Sequence, residues 1–275
     1  MRTAPFRPLR PIALIAIAPL AIAFAAPAYA AELRDFCPNR PGLGTPACTI
    51  DPGHGDLEVG LADWTLDRTA GTRTDTLTFG SALVRYGLTD NLEAEIGWTA
   101  IGTQRQRDPF GMVQRQTGTG DVSIALRRNL SHPDGSGFSA AIMPFVTLPS
   151  GTAPLGAGTW GGGVIVPIDY QLPHGLQLAF TGQLAAAPNQ DGHGRHLAYS
   201  SVVGLNADLG GKTNATLELE AARDEDPSGS SNKLMSQLSL AWKPYPDLQL
   251  DTAVGIGLAG QAPDVELSLG IARRF

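Results

Sequence analysis

From about residue 57 to its end the chain alternates apolar and polar side chains in short runs divided by turn residues, and the last run states the rule most plainly. Between Asp264 and Phe275, the residues Val265, Leu267, Leu269, Ile271 and Phe275 are apolar, while Glu266, Ser268, Gly270 and Arg274 are polar or small. A period of two puts successive side chains on opposite faces of an extended strand, so this stretch is a strand with one apolar and one polar face. A chain built this way must fold as sheet, and each sheet must find cover for its apolar face.

The N-terminus follows a different rule. Arg2, Arg7 and Arg10 precede an apolar run over 11–26, and Ala28-Tyr29-Ala30 supplies small residues at cleavage spacing. This predicts a secretory signal peptide over 1-30; the run is shorter than the ~20 apolar residues a spanning helix needs. Export is therefore expected. The formal charge of the whole chain is −6, and loss of the arginine-bearing leader makes the remainder more acidic, so nucleic acid is not an expected partner. Charged residues are 17% of the chain against a typical ~25%, too few for a coat that faces water everywhere.

Cys37 and Cys48 fall in a stretch punctuated by Pro38, Pro41, Gly42, Gly44 and Pro46. In an oxidising exported compartment they are expected to form a disulfide. A metal there would need further ligands, and only His54 is near. Residues 31-56 are thus assigned to a periplasmic N-terminal segment carrying the Cys loop, and 57-275 to a barrel.

Alternation recurs over 57–64, 74–88, 92–99, 121–130, 138–148, 160–172, 176–183, 197–208, 216–221, 234–242, 248–258 and the closing run, which makes about twelve strands. Residues 102–119, rich in Gln and Arg and without a period, are assigned to a long loop. Connections near Thr89, His132, Pro173, Gly210 and Tyr245 are brief, and those near Gly151, Asn189 and Pro227 longer and more polar. Tyr86, Phe138, Tyr170, Trp242 and Phe275 lie on apolar faces near the brief turns, and Trp98, Trp160 and Tyr199 toward the long loops. Two aromatic girdles, an even strand number and alternating short and long connections predict an all-β fold: an antiparallel transmembrane β-barrel of about 12 strands with both termini periplasmic. Its expected partners are outer-membrane lipid, a small-molecule solute, and the barrel-assembly machinery through the C-terminal Phe275.

The polar faces define the lumen. Candidates for its lining are Arg85, Glu93, Glu95, Asp121, Arg127, Glu218, Glu220, Asp251 and Glu266, with Glu58, Asp169, Lys243 and Arg274 on the same faces. Two readings stand side by side: a passage biased toward cationic or neutral polar solutes, or an ion-pair lattice bracing the wall. No catalytic residue, cofactor or metal is assigned. His193 and His196 have a possible ligand spacing but only Asp191 beside them, and Gly161-Gly162-Gly163 lacks the Lys-Ser/Thr of a phosphate loop. Pro144 and Pro167 interrupt strands, as a bulge or as a weakly paired seam.

Four stretches resemble a known family: the Cys37–Cys48 loop, Tyr86-Gly-Leu-Thr-Asp-Asn-Leu-Glu93, Gly120-Asp-Val122 and Pro144-Phe-Val-Thr-Leu-Pro-Ser-Gly151. They are similar to the outer-membrane transporter family named for meta-pathway phenol degradation. Membership implies an outer-membrane channel or transporter for passive passage of small, possibly aromatic, solutes, and carries no established site residues. Trp160 and Phe145 are offered as aromatic contacts for such a ligand. The alternatives are a soluble periplasmic β-barrel binding protein with its apolar faces inside, and an outer-membrane hydrolase, which would need a Ser and a His paired on the membrane-facing surface.

Overall fold

A computed structural model describes residues 33–275; the leader assigned to 1-30 lies outside the described residues. The strands are β1 (Gly55–Thr69), β2 (Thr72–Thr89), β3 (Leu92–Arg107), β4 (Val113–Gly118), β5 (Val122–Ser131), β6 (Phe138–Leu148), β7 (Gly161–Leu172), β8 (Leu176–Pro188), β9 (Arg195–Asp208), β10 (Thr213–Asp224), β11 (Ser231–Tyr245), β12 (Leu248–Gly260) and β13 (Val265–Arg274). Each pairs antiparallel with its neighbours, and β1 returns to β13 from Asp56↔Arg274 to Leu66↔Val265. Phe275 completes the closure: its N–H donates to Gly55 O at 2.9 Å and its carbonyl accepts from Gly55 N at 2.8 Å.

Thirteen strands make twelve staves. β5 pairs with the first half of β3 (Leu92↔Arg128 to Gly97↔Ser123) and β4 with the second half (Gly102↔Gly118 to Arg107↔Val113), so β4 and β5 are one stave broken at 119–121. The loop assigned to 102–119 is therefore corrected: it is the end of β3, a turn at 108–112, and β4. Four of the six residues of β4 are polar, and all but Gly118 are exposed. A stretch wetted on both faces has no apolar side to reveal its period. β2 has 18 residues and β3 has 16, beyond the ~9–11 that cross a bilayer, so their far halves rise clear of the barrel body.

The side chains settle which face looks outward. Leu269 is 54% and Leu240 42% exposed, whereas Ser239 is 1% and Arg85 0% exposed. Apolar faces point out and polar faces in along the whole wall, and this overturns the soluble alternative, which required the reverse. Phe138, Tyr170, Trp242 and Phe275 stand exposed at the end of the barrel where β1 begins and β13 ends, Trp98, Trp160 and Tyr199 toward the other, which we call the loop end.

Two local irregularities have named causes. β1 shifts register between Gly60 and Ala62, a bulge just ahead of the phase break seen at Asp63-Trp64. Each proline sits in a gap of one ladder: Pro167 between Ala140↔Ile168 and Met143↔Ile165 on the β6–β7 side, and Pro144 between Ala125↔Phe145 and Arg128↔Ile142 on the β5–β6 side. Proline brings no N–H to a ladder, so the seam reading holds on both sides of β6.

Candidate functional site: a lumen filled by the N-terminal segment

Residues 33–54 have almost no secondary structure of their own, yet Phe36, Ala47, Cys48, Thr49 and Ile50 are buried. They pack inside the barrel against its polar wall, where the sequence reading had set 31-56 apart as a separate periplasmic piece. Backbone without a ladder must find other partners for its N–H and C=O groups once it leaves water. The inward-facing charges supply them.

The donors are satisfied by carboxylates. Asn39 N and Arg40 N each donate to Glu58 at 2.8 Å, one to each oxygen. Leu43 N and Gly44 N do the same to Glu218, at 2.8 and 2.9 Å. Ala47 N donates to Asp169 at 2.8 Å and Ile50 N to Glu93 at 2.7 Å. The acceptors are satisfied by cations and amides. Arg85 donates to Cys37 O at 2.7 Å, and Arg127 donates to Pro46 O at 2.9 Å and Cys48 O at 3.0 Å. Asn129, Gln237 and Gln249 donate to Ala47 O, Pro41 O and Arg40 O. Hydrogen bonds with one charged partner contribute roughly 1.5–3 kcal/mol each against about 1 for neutral pairs, so this wall holds the segment through its strongest class of contact.

The wall charges also balance each other. Arg85 meets Glu93 at 2.9 Å, Glu58 at 3.5 Å and Asp56 at 3.8 Å, and Arg127 meets Glu95 at 2.8 Å and Glu93 at 3.4 Å. Both guanidiniums are fully buried, and each bonds wall and segment at once. From the segment's side Arg40 reaches back, to Asp251 at 3.2 Å and Asp63 at 3.5 Å. Gly270 makes room for it, since a Cβ there would lie 2.1 Å from Arg40 Nε. Arg274 lies 5.6 Å from the centre of the Phe36 ring and Lys243 lies 6.0 Å from it, and Lys243 also donates to Phe36 O. Cys37 and Cys48 are joined as expected, closing the part of the segment that touches Arg85 and Arg127.

The structure thus gathers most of the sequence candidates into one lattice: Arg85, Glu93, Glu95, Arg127, Glu218 and Asp251 all touch the segment or its charge partners. Three stand apart. Asp121 accepts from Gly151 N at 2.7 Å and Ala157 N at 2.8 Å and so braces the 149–160 loop. Glu220 pairs with Lys233 at 2.9 Å. Glu266 shares a ladder row with Glu218 through Gln237 and Gly255. Of the aromatic guesses, Phe145 lays its ring beside Gly163, where a Cβ would be 3.0 Å from Cε1, and Trp160 is exposed at the loop end. Asn129 and Arg40 were missed. The available signal was an unpatterned Pro- and Gly-rich segment next to a barrel with far more inward charge than it could pair within itself.

Two cavities flank the segment. One of about 250 Å³ is bordered by Asp169, Gln177, Thr181, Asn206, Thr216 and Gln249, and another of about 380 Å³ by Glu58, Ser81, Thr99, Asp121, Ser123 and Ser268. Polar side chains border both, and each is large enough to hold water beside the segment.

Residues 38–275 match the model of the family described as "Putative MetA-pathway of phenol degradation". The chain belongs to that family. Among solved structures, it is similar to the COG4313 outer membrane channel from Pseudomonas putida F1, at 15% identity and a TM-score of 0.64 over 81% of this chain and 94% of that one. The KdgM porin aligns over 80% of this chain and 99% of its own at 11% identity, with a TM-score of 0.48. No curated protein matches the chain. At 15% identity the likeness to the first of these establishes the fold, which is that of an outer-membrane barrel.

The hydrolase alternative needs a histidine free to take a serine proton. At the bonded pair Ser131 and His132, Nδ1 of His132 lies 2.8 Å from Phe138 O and Ser131 Oγ donates to that same carbonyl at 3.1 Å. An imidazole nitrogen 2.8 Å from a carbonyl donates to it, so Nδ1, the ring nitrogen bonded toward Ser131, does not take that serine's proton.

Proposed function

We propose that this protein is an outer-membrane channel for passive passage of small solutes, and that its own N-terminal segment sets the bore. The observation that carries this reading is a closed barrel, apolar outside and charged inside, whose lumen holds residues 33–54 with polar recesses on either side. Barrels of ~8 strands are filled by side chains and those of 16 to 18 hold open water. Twelve staves leave room that side chains alone do not fill, and the segment takes it up. What passes must be small enough to travel through recesses of a few hundred Å³. The family description supports small aromatic compounds as candidates, and the acid-rich wall does not favour anions.

Export through the 1-30 leader, termini on the periplasmic side and delivery to the assembly machinery through Phe275 belong to the same proposal. The exposed aromatics at both ends and the terminal Phe275, paired at the closing seam, support it. Purified protein in a planar bilayer should give small, discrete conductance steps and should speed entry of phenol-sized solutes into liposomes while excluding oligosaccharides. Silence in both assays would overturn the channel reading.

A further inference from the structure

Two loop-end connections, 189–194 and 225–230, are tied together. Gln190 N donates to Asp226 Oδ2 at 2.8 Å, and the Ser228 hydroxyl donates to Gln190 Oε1 at 3.3 Å. Between them stands His196 of β9, whose side chain is only 5% exposed. Its Nδ1 lies 3.0 Å from Asn189 Oδ1 and 3.4 Å from Asp226 Oδ2, and its Nε2 lies 3.0 Å from Asp224 Oδ1.

The protons can be placed. Asn189 Nδ2 donates to His193 O, which fixes the amide so that Oδ1 faces the imidazole. That oxygen can only accept, so Nδ1 carries the hydrogen. Nε2 is left buried and without a hydrogen bond, and Asp224 Oδ1 stands off the line a ring N–H would take despite its 3.0 Å approach. A buried lone pair beside a carboxylate oxygen is two acceptors face to face, an arrangement that requires positive charge between them. Asp226 completes the cluster from the other side of the ring, its Oδ2 3.4 Å from Nδ1.

We infer that His196, Asp224 and Asp226 form a site for a divalent transition-metal ion. One ligand atom from each lies within 4.8 Å of the others. The 3.0 Å between Nε2 and Oδ1 is close to the separation of two adjacent ligands each ~2.1 Å from a shared ion. The Nδ1–H···Oδ1 bond to Asn189 is the kind of outer contact that orients a ligating histidine. One imidazole with carboxylates suits ions such as Zn²⁺ or Mn²⁺ and does not suit soft monovalent copper. An ion there would pin the two loops to each other at the rim of a cavity of about 310 Å³, bordered by Gln183, Ser200, Glu220, Arg223, Asp224 and Lys233. The sequence had set His193 and His196 beside Asp191 alone; the fold brings the needed carboxylates from the next hairpin.

A proton on Nε2 is the rival occupant, and the experiment separates the two. Full-length protein without a polyhistidine tag, stripped with chelator in detergent, is titrated with Zn²⁺ by calorimetry and, separately, with Cu²⁺ as a probe for imidazole nitrogen in pulsed electron paramagnetic resonance. We expect one Zn²⁺ per chain and an imidazole signal. Asp224→Asn should weaken binding at least about tenfold, His196→Gln should abolish the signal, and His193→Gln should leave both unchanged. Absence of Zn²⁺ binding at millimolar concentration would overturn the site in favour of the proton, as would unchanged affinity in Asp224→Asn. Asp224 is 43% exposed, so its variant remains decisive even if His196→Gln fails to fold.

Discussion

The N-terminal segment and the β3–β4 hairpin invert the usual link between regularity and order. Residues 33–54 are irregular yet held, buried at Phe36 and over 47–50, with wall side chains meeting their backbone groups one after another. The hairpin around 108–112 is regular and bare: its ladder runs unbroken from Gly102↔Gly118 to Arg107↔Val113, yet Phe110 at its tip is 92% exposed. The difference lies in where the backbone finds partners. A ladder supplies its own and can stand in water, whereas a segment without one is held only where a wall has been built to fit it.

That contrast can be broken by mutation, and the effects should fall off steeply from segment to hairpin. Arg127→Ala removes the donor shared by Glu93, Glu95, Pro46 O and Cys48 O and leaves buried carboxylates uncompensated. A loss of about 3–5 kcal/mol is expected, read as a lower denaturant midpoint of the heat-modifiable band. Cys37→Ser with Cys48→Ser frees a closed loop of sequence separation 11 and should cost the segment about 2–4 kcal/mol. A spin label at Leu43 would report this as increased mobility, with the barrel's own midpoint little changed. Glu218→Gln replaces one of the two carboxylate oxygens that accept from Leu43 N and Gly44 N and should weaken local holding by about 1–3 kcal/mol, seen as faster hydrogen exchange at the Leu43 and Gly44 amides. Phe110→Ser at the hairpin tip should change stability by less than about 0.5 kcal/mol. If Phe110→Ser proved as damaging as Glu218→Gln, the hairpin would be an anchored element and the contrast would fail.

What was legible in the sequence follows the same division. Strands facing lipid on one side and polar lumen on the other, such as β13 with Leu267 and Leu269 against Glu266 and Ser268, carry a strong period and were placed within a few residues. The far half of β3 and all of β4 face water on both sides, carry no period, and read as a loop. The lumen charges were found by phase, but their partner was not: a binding wall and a bracing wall look alike until the ligand is placed, and here the ligand is the protein's own backbone. The cluster around His196 was out of reach for another reason. It joins residues from adjacent hairpins, and only the register Ala222↔Ser200 to Asp224↔Ala198 brings Asp224 beside the start of β9.

The most direct test of the account compares single-channel conductance of the intact protein with that of a chain lacking residues 33–50, assembled in the same bilayer and shown to be a heat-modifiable barrel. If the charged wall exists to hold the segment and the segment narrows the bore, the shortened chain should conduct several-fold more and admit larger solutes. Equal conductance and the same size limit in both would contradict it, because the segment would then be cargo carried by the barrel and not the element that sets its passage.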